Sequence, residues 1–204
     1  MKNLFSNIRF YILFFSISLS IITIIIPSTS YQLTKIFAFF AVGFLYLALL
    51  IGPTTYIFTW LPFRGQMIKA RRAIGVSAFY FAFLHMLSAL NYLGGITTIL
   101  SLPLQQQIPF MFGSIALDIL FLMAITSSDK AVRILTFPKW KLLHRFVYLA
   151  QILITLHVFL VGKDFAHKFS PIPILAYVAI LLLTTLQVLA FFKHKQQQVP
   201  HAQT

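Results

Sequence analysis

The chain has 204 residues, of which 59% are hydrophobic and only 9% charged, and its mean hydropathy is +0.89. A soluble domain carries about a quarter charged residues, so this chain has too little polar surface to cover a water-soluble globule and reads as an integral membrane protein. A soluble enzyme is excluded, the net charge of +13 asks for an explanation other than nucleic acid, and the absence of Cys removes disulfides, thiolate metal sites and thioether-linked haem.

A bilayer core takes about 20 apolar residues per helix. Six stretches meet that length, at 10–26, 36–58, 73–93, 108–125, 142–161 and 172–192. The expected architecture is therefore an all-α, six-helix transmembrane bundle forming a single domain, with a polar tail over 193–204. What remains is short loops without room for a soluble nucleotide-binding domain, and no GxGxxG or Walker-type glycine motif occurs. The first span has a second reading, a cleaved signal peptide, because a basic start and an apolar run precede the small residues Ser28 and Ser30. Its run is longer than most such segments, and a retained helix is the expectation.

Orientation follows from the Lys and Arg residues. With a cytoplasmic N-terminus, the inner segments hold Lys2 and Arg9, then Arg64, Lys69, Arg71 and Arg72. They also hold Lys130, Arg133, Lys139, Lys141 and Arg145, and finally Lys193 and Lys195. Only Lys35, Lys163 and Lys168 remain outside, so thirteen of the sixteen cations lie on one side. That bias predicts that both termini and the tail are cytoplasmic, with most of these charges serving as topology determinants and lipid headgroup anchors.

His167, His194 and His201 fall in a loop or the tail and read as solvated. His85, His144 and His157 fall within spans, where ionisable groups are costly and mark function. At 1.5 Å per residue, His85 lies about 20 Å in from the cytoplasmic end of its helix and His157 about 24 Å, whereas His144 is only about 5 Å deep. His85 and His157 thus share a level in the outer half. Two neutral imidazoles on facing helices are what a low-spin bis-histidine haem requires. A catalytic zinc would need a carboxylate or third His at that level, and none is there. At the inner level, Arg71 lies fourteen residues before His85, within about 40° of the same helix face. With Arg72, Lys141, Arg145 and His144 it makes a cationic level suited to a haem propionate or a phosphate, or to plain headgroup contact.

These residues carry a family resemblance. The stretch Arg71-Arg72 to Gly75 followed by Leu84-His85, the Thr126-Ser127 pair, and Trp140 with Leu143-His144-Arg145, Tyr148 and Leu156-His157 resemble helices 3 to 5 of the ferric reductase-like transmembrane family. Within it the pattern is most similar to the MsrQ branch, haem-binding membrane subunits paired with a periplasmic methionine sulfoxide reductase. The likeness covers about 71–161, while 60–67 and 94–107 depart from the branch pattern. It implies a b-type haem on His85, His144 and His157, and an FMN. It also implies a cytoplasmic flavin reductase or quinol as donor, a periplasmic molybdoenzyme as acceptor, and a bacterial inner-membrane location. Larger relatives add a cytoplasmic FAD/NAD(P)H domain and a second His on helix 3; here Arg71 stands in that place, which argues against a self-sufficient NAD(P)H oxidase.

Asp118 is the carboxylate expected near mid-membrane, suited to accept the Nδ1–H of a ligating imidazole or to relay protons to a quinone. Asp129 reads as a local cap after Ser127-Ser128. Trp60, Trp140, Tyr31 and Tyr92 read as interfacial belt anchors. Gly43 and Gly75 read as points of close helix or cofactor approach. The combined expectation is a membrane cytochrome b, with His85 and His157 as axial ligands and His144, Arg71 and Arg145 serving an inner haem or a flavin phosphate. No nucleophile and base pair supports hydrolysis. Rival readings are a related cytochrome that passes electrons to iron, oxygen or quinone, and a cofactor-free small transporter. The absence of internal repeats and broken mid-span helices in the sequence disfavours the transporter.

Overall fold

The computed structural model describes residues 7–26, 28–161 and 171–198. Within them the chain forms α1 (Ile8–Ile25), α2 (Ser30–Ile57), α3 (Arg64–Leu93), a short α4 (Ile96–Leu100), α5 (Leu104–Ile125), α6 (Asp129–Leu135), α7 (Phe137–His144), α8 (Val147–Val161) and α9 (Pro171–Gln198). Six segments are long and apolar enough to cross a membrane, namely α1, α2, α3, α5, the α7–α8 pair and most of α9. Backbone groups in hydrocarbon must be satisfied within the segment, which is why an apolar run of this length resolves into helix.

The helices begin earlier than the hydropathy pattern predicts. α2 starts at Ser30, where Thr29 and Gln32 form a reciprocal capping box, and α3 starts at Arg64. Apolar patterning marks only the hydrocarbon-embedded part, whereas these helices run on into the headgroup zone. α3 stops at Gly94 and Gly95, both at positive φ (82° and 101°), the left-handed close that glycine takes without steric cost. The fifth span is not one helix: Arg145 and Phe146 form a tight turn between α7 and α8. The first part of the polar tail, 193–198, is helical, because α9 continues to Gln198. Its Lys193 Nζ donates to the carbonyls of Ile57 (2.9 Å) and Tyr56 (3.4 Å) at the end of α2, and the His194 ring meets Tyr56. Lys2, Lys163, Lys168, His167 and His201 lie outside the described residues.

α2 and α3 form the most extensive pair, with α1 against α3, α9 against α2, α8 against α5, and α5 joined to α3. One core brings together Leu45 and Leu49, Ala78, Leu120, Val147 and Ala150, and Leu183. Ala78 and Ala150 are fully buried, and such small residues let helices approach closely where lipid offers no hydrophobic drive for association. Phe81, also fully buried, packs among Phe37, Phe40 and Phe44 of α2. α1 is tied to α3 by hydrogen bonds in the bundle interior, Ser16 Oγ to Ser77 Oγ (2.8 Å) and Ser20 Oγ with Tyr80 Oη (2.7 Å). Outward surfaces are apolar, as with Phe10, Ile24, Leu175 and Leu181, which suits lipid. At one end of the bundle Asp129 bridges Arg9 of α1 (3.0 Å) and Arg72 of α3 (2.6 Å). The local cap before α6 is Ser128, whose Oγ accepts from the Ala131 N–H, so Asp129 ties three segments together and does not cap its own.

Candidate functional site

α3 presents His85 and α8 presents His157, and the two rings come together with centroids 6.2 Å apart and planes at 75°. Each ring is held at Nδ1 by a backbone oxygen. His85 Nδ1 lies 2.9 Å from the Thr34 carbonyl of α2, and His157 Nδ1 lies 2.8 Å from the Pro109 carbonyl of α5. A carbonyl only accepts, so in each ring Nδ1 carries the proton and Nε2 keeps its lone pair. That is the tautomer of a metal-ligating histidine oriented by an outer acceptor.

The residues fit a haem. A metal–imidazole bond is about 2 Å and the ring centre lies about 1 Å beyond the nitrogen, so two imidazoles on opposite sides of one ion have centroids about 6 Å apart. The observed separation is of that size. Among the described residues no three His, Asp or Glu side chains converge, as an all-protein metal cage would need.

Asp118 does not take the orienting position that its depth suggested, because both Nδ1 atoms are engaged by carbonyls. It is exposed, about 140° around α5 from Gly113, the residue that faces His157. Hydropathy gave its depth but not its azimuth.

Three residues at this level were not anticipated from sequence. Thr34 and Pro109 act through main-chain oxygens, which leave no side-chain signature. Gly113 touches the His157 ring so closely that a Cβ there would stand 2.9 Å from Nδ1 and 3.0 Å from Cε1. A signal existed in a lone Gly within an apolar helix, four residues after a Pro. By contrast, a Cβ at Gly43 or Gly75 would meet no heavy atom within 4 Å, so neither glycine is a point of close helix approach.

The inner level is built differently. His144 closes α7, and its ring lies on Trp140 with centroids 4.1 Å apart at 33°. Its Nε2 is 3.3 Å from Thr126 Oγ1, and Trp140 Nε1 donates to the Thr126 carbonyl at 3.0 Å. The Arg72 guanidinium stands over the Trp140 ring, 4.9 Å from its centroid. Trp140 is therefore part of this cluster and no simple belt anchor, while Trp60 is exposed and Tyr31 packs on Tyr92 as interfacial aromatics do. Arg71 points to α2, its Nε donating to the Ala48 carbonyl (3.0 Å) and its guanidinium lying over Gly52, where a Cβ would come within 3.3 Å. Arg145 occupies the turn between α7 and α8 and is exposed.

The model of the family described as ferric reductase like transmembrane component matches residues 37–155, more than half of the chain. The matched range contains His85 and His144 and ends just short of His157. Among curated proteins, the protein-methionine-sulfoxide reductase heme-binding subunit MsrQ of Azospira oryzae is 30% identical over 152 residues, 74% of this chain and 63% of that protein. Its namesake from Pectobacterium atrosepticum is 35% identical over 127 residues, 61% of each chain. That from Herminiimonas arsenicoxydans is 33% identical over 144 residues, 69% of this chain and 63% of the relative. The chain thus spans about three-fifths of the length of the curated relatives it matches. With six membrane-spanning segments around a facing histidine pair, and with the family model covering its central helices, the chain belongs to the ferric reductase-like transmembrane family.

Proposed function

We propose that this protein is a b-type haem-binding, multi-pass protein of the bacterial inner membrane, with both termini cytoplasmic, that passes electrons to a periplasmic acceptor. His85 and His157 are its axial ligands. The observation that carries this reading is the 6.2 Å approach of the two rings, each with Nδ1 held by a main-chain carbonyl and Nε2 left for iron. Bound haem supplies one-electron redox chemistry; the chain supplies ligation, burial and tuning of the potential. His144, Arg71 and Arg145 belong to an inner level that receives a second haem or the phosphate of an FMN, for which guanidinium groups are the suited partners. The acceptor is a methionine sulfoxide reductase, a reading supported by the names of the relatives, and it is of the molybdoenzyme type. Its donor is a cytoplasmic flavin reductase or quinol.

The test is a dithionite-reduced minus oxidised spectrum of the purified protein beside His85→Ala and His157→Ala. The expected result is a b-type α-band in the wild type whose outer-haem part both substitutions abolish. A wild-type protein that stays colourless after haem supplementation overturns the reading.

A further inference from the structure

We propose that Gly113 is the positioning residue for His157: the missing side chain is a notch in α5 that seats the imidazole on the helix backbone, where the Pro109 carbonyl fixes its orientation. This rests on the reading of His157 as an axial ligand, and it adds a residue that neither the spacing of the histidines nor the family resemblance points to.

In a helix, residues four apart lie one above the other, and each Cβ leans toward the N-terminus. A side chain at position 113 therefore stands over the carbonyl of residue 109 and shields it from anything approaching sideways. Glycine clears that space, and the His157 ring fills it. A Cβ at position 113 would lie 2.9 Å from Nδ1, 3.0 Å from Cε1 and 3.3 Å from Cγ, so it would collide with the ring itself and not with a flexible tip. The carbonyl has two lone pairs, and the one not used along the helix is free to accept the Nδ1 proton at 2.8 Å. Ring and helix are thus locked by a hydrogen bond and by contact at once.

The other ligand shows that such a notch is specific to α5. His85 reaches the Thr34 carbonyl of α2 at 2.9 Å, although position 38 there is Ala. A carbonyl can therefore be reached past a Cβ, and what glycine supplies at position 113 is room for the ring itself, three of whose atoms lie within 3.3 Å of the place a Cβ would take. Glycine in a helix interior is less favourable than Ala, so its presence here is offset by this contact.

The experiment is a Gly113→Ala substitution, with Gly65→Ala as a control at a helical glycine that has nothing within 4 Å. The Gly113→Ala protein is expected to lose the low-spin bis-histidine spectrum, through a shift to a high-spin Soret band or a fall in haem content, while Gly65→Ala keeps both. A second measurement needs no haem. In the haem-free proteins, Gly113→Ala should lower the unfolding temperature when His157 is present. In a His157→Ala background it should leave that temperature unchanged or raise it, since the colliding ring is gone and Ala is the better helix former. An unaltered low-spin spectrum and midpoint potential in Gly113→Ala would overturn the proposal, as would the same thermal change in both backgrounds. If the wild type binds haem and His157→Ala abolishes it while Gly113→Ala is silent, only the positioning role fails. Loss of no haem in His157→Ala sinks the ligand assignment as well.

Discussion

The two histidine levels use the same side chain in opposite ways. At the outer level His85 and His157 each spend Nδ1 on a main-chain oxygen, and their Nε2 atoms remain for a ligand. At the inner level it is Nε2 of His144 that is engaged, by Thr126, while the ring face is covered by Trp140. An imidazole becomes a preorganised ligand through what holds its other nitrogen, and membrane depth alone does not confer that. The outer level is also tethered to helix backbones, which do not change rotamer, whereas the inner level leans on side chains at a helix break.

The comparison can be broken most directly with His144→Ala. The b-type α-band lost in the His85 and His157 variants is expected to survive at its wild-type position, and its complete loss would show the two levels to be one site. Arg71→Ala comes next. A hydrogen bond from a charged group contributes about 1.5–3 kcal/mol, so the variant should unfold earlier in detergent by that order, and Arg71→Lys should not restore it, because the planar fork over Gly52 is lost. Ser77→Ala probes the seam that fixes α1 against α3 between the two levels. Hydrogen bonds between membrane helices average about 0.6 kcal/mol, so a small fall in thermal midpoint is expected, with the outer spectrum unchanged.

The smallest effect is expected at Asp129. The Arg9 hydrogen bond, with Arg72 adding to it, holds its carboxyl below the ordinary value of 3.8. A depressed carboxylate adds stability that is fully present above its ordinary value and fades as pH falls through the lower folded one. The thermal midpoints of Asp129→Asn and wild type should therefore differ at pH 6, converge as the pH is lowered below about 4, and differ less at high salt because the pair is exposed.

Much of the fold was legible because lipid as a solvent leaves so few options: twenty apolar residues in hydrocarbon must be helix. The break after His144 was not, since Arg145 and Phe146 include neither Gly nor Pro. That break also removes the continuous-helix arithmetic that relates the faces of His144 and His157. His85 and His157 were legible from depth alone, because helix rise converts sequence position into distance from the membrane surface. Azimuth is a tertiary property, and it is what takes Asp118 away from the imidazole-orienting place that its depth suggested. Acceptors at Thr34 and Pro109 are peptide oxygens that every residue possesses, so the chain carries no mark of them. Gly52 resembled any other glycine until Arg71 was packed against it, whereas Gly113 carried only the faint mark of a lone glycine four residues after a proline.

The register of α3 has a further electrical consequence. Thirteen residues separate Arg72, above the Trp140 ring beside His144, from His85, which is about 20 Å of helix. The hydrocarbon core is about 30 Å thick, so the two levels are separated by about two-thirds of the distance over which a transmembrane voltage drops. One elementary charge crossing the whole membrane exchanges about 2.3 kcal/mol with each 100 mV, and an electron moving between these levels would exchange about 1.5 kcal/mol. The balance of electrons between the levels would then vary with the energised state of the membrane, with every side chain in its place.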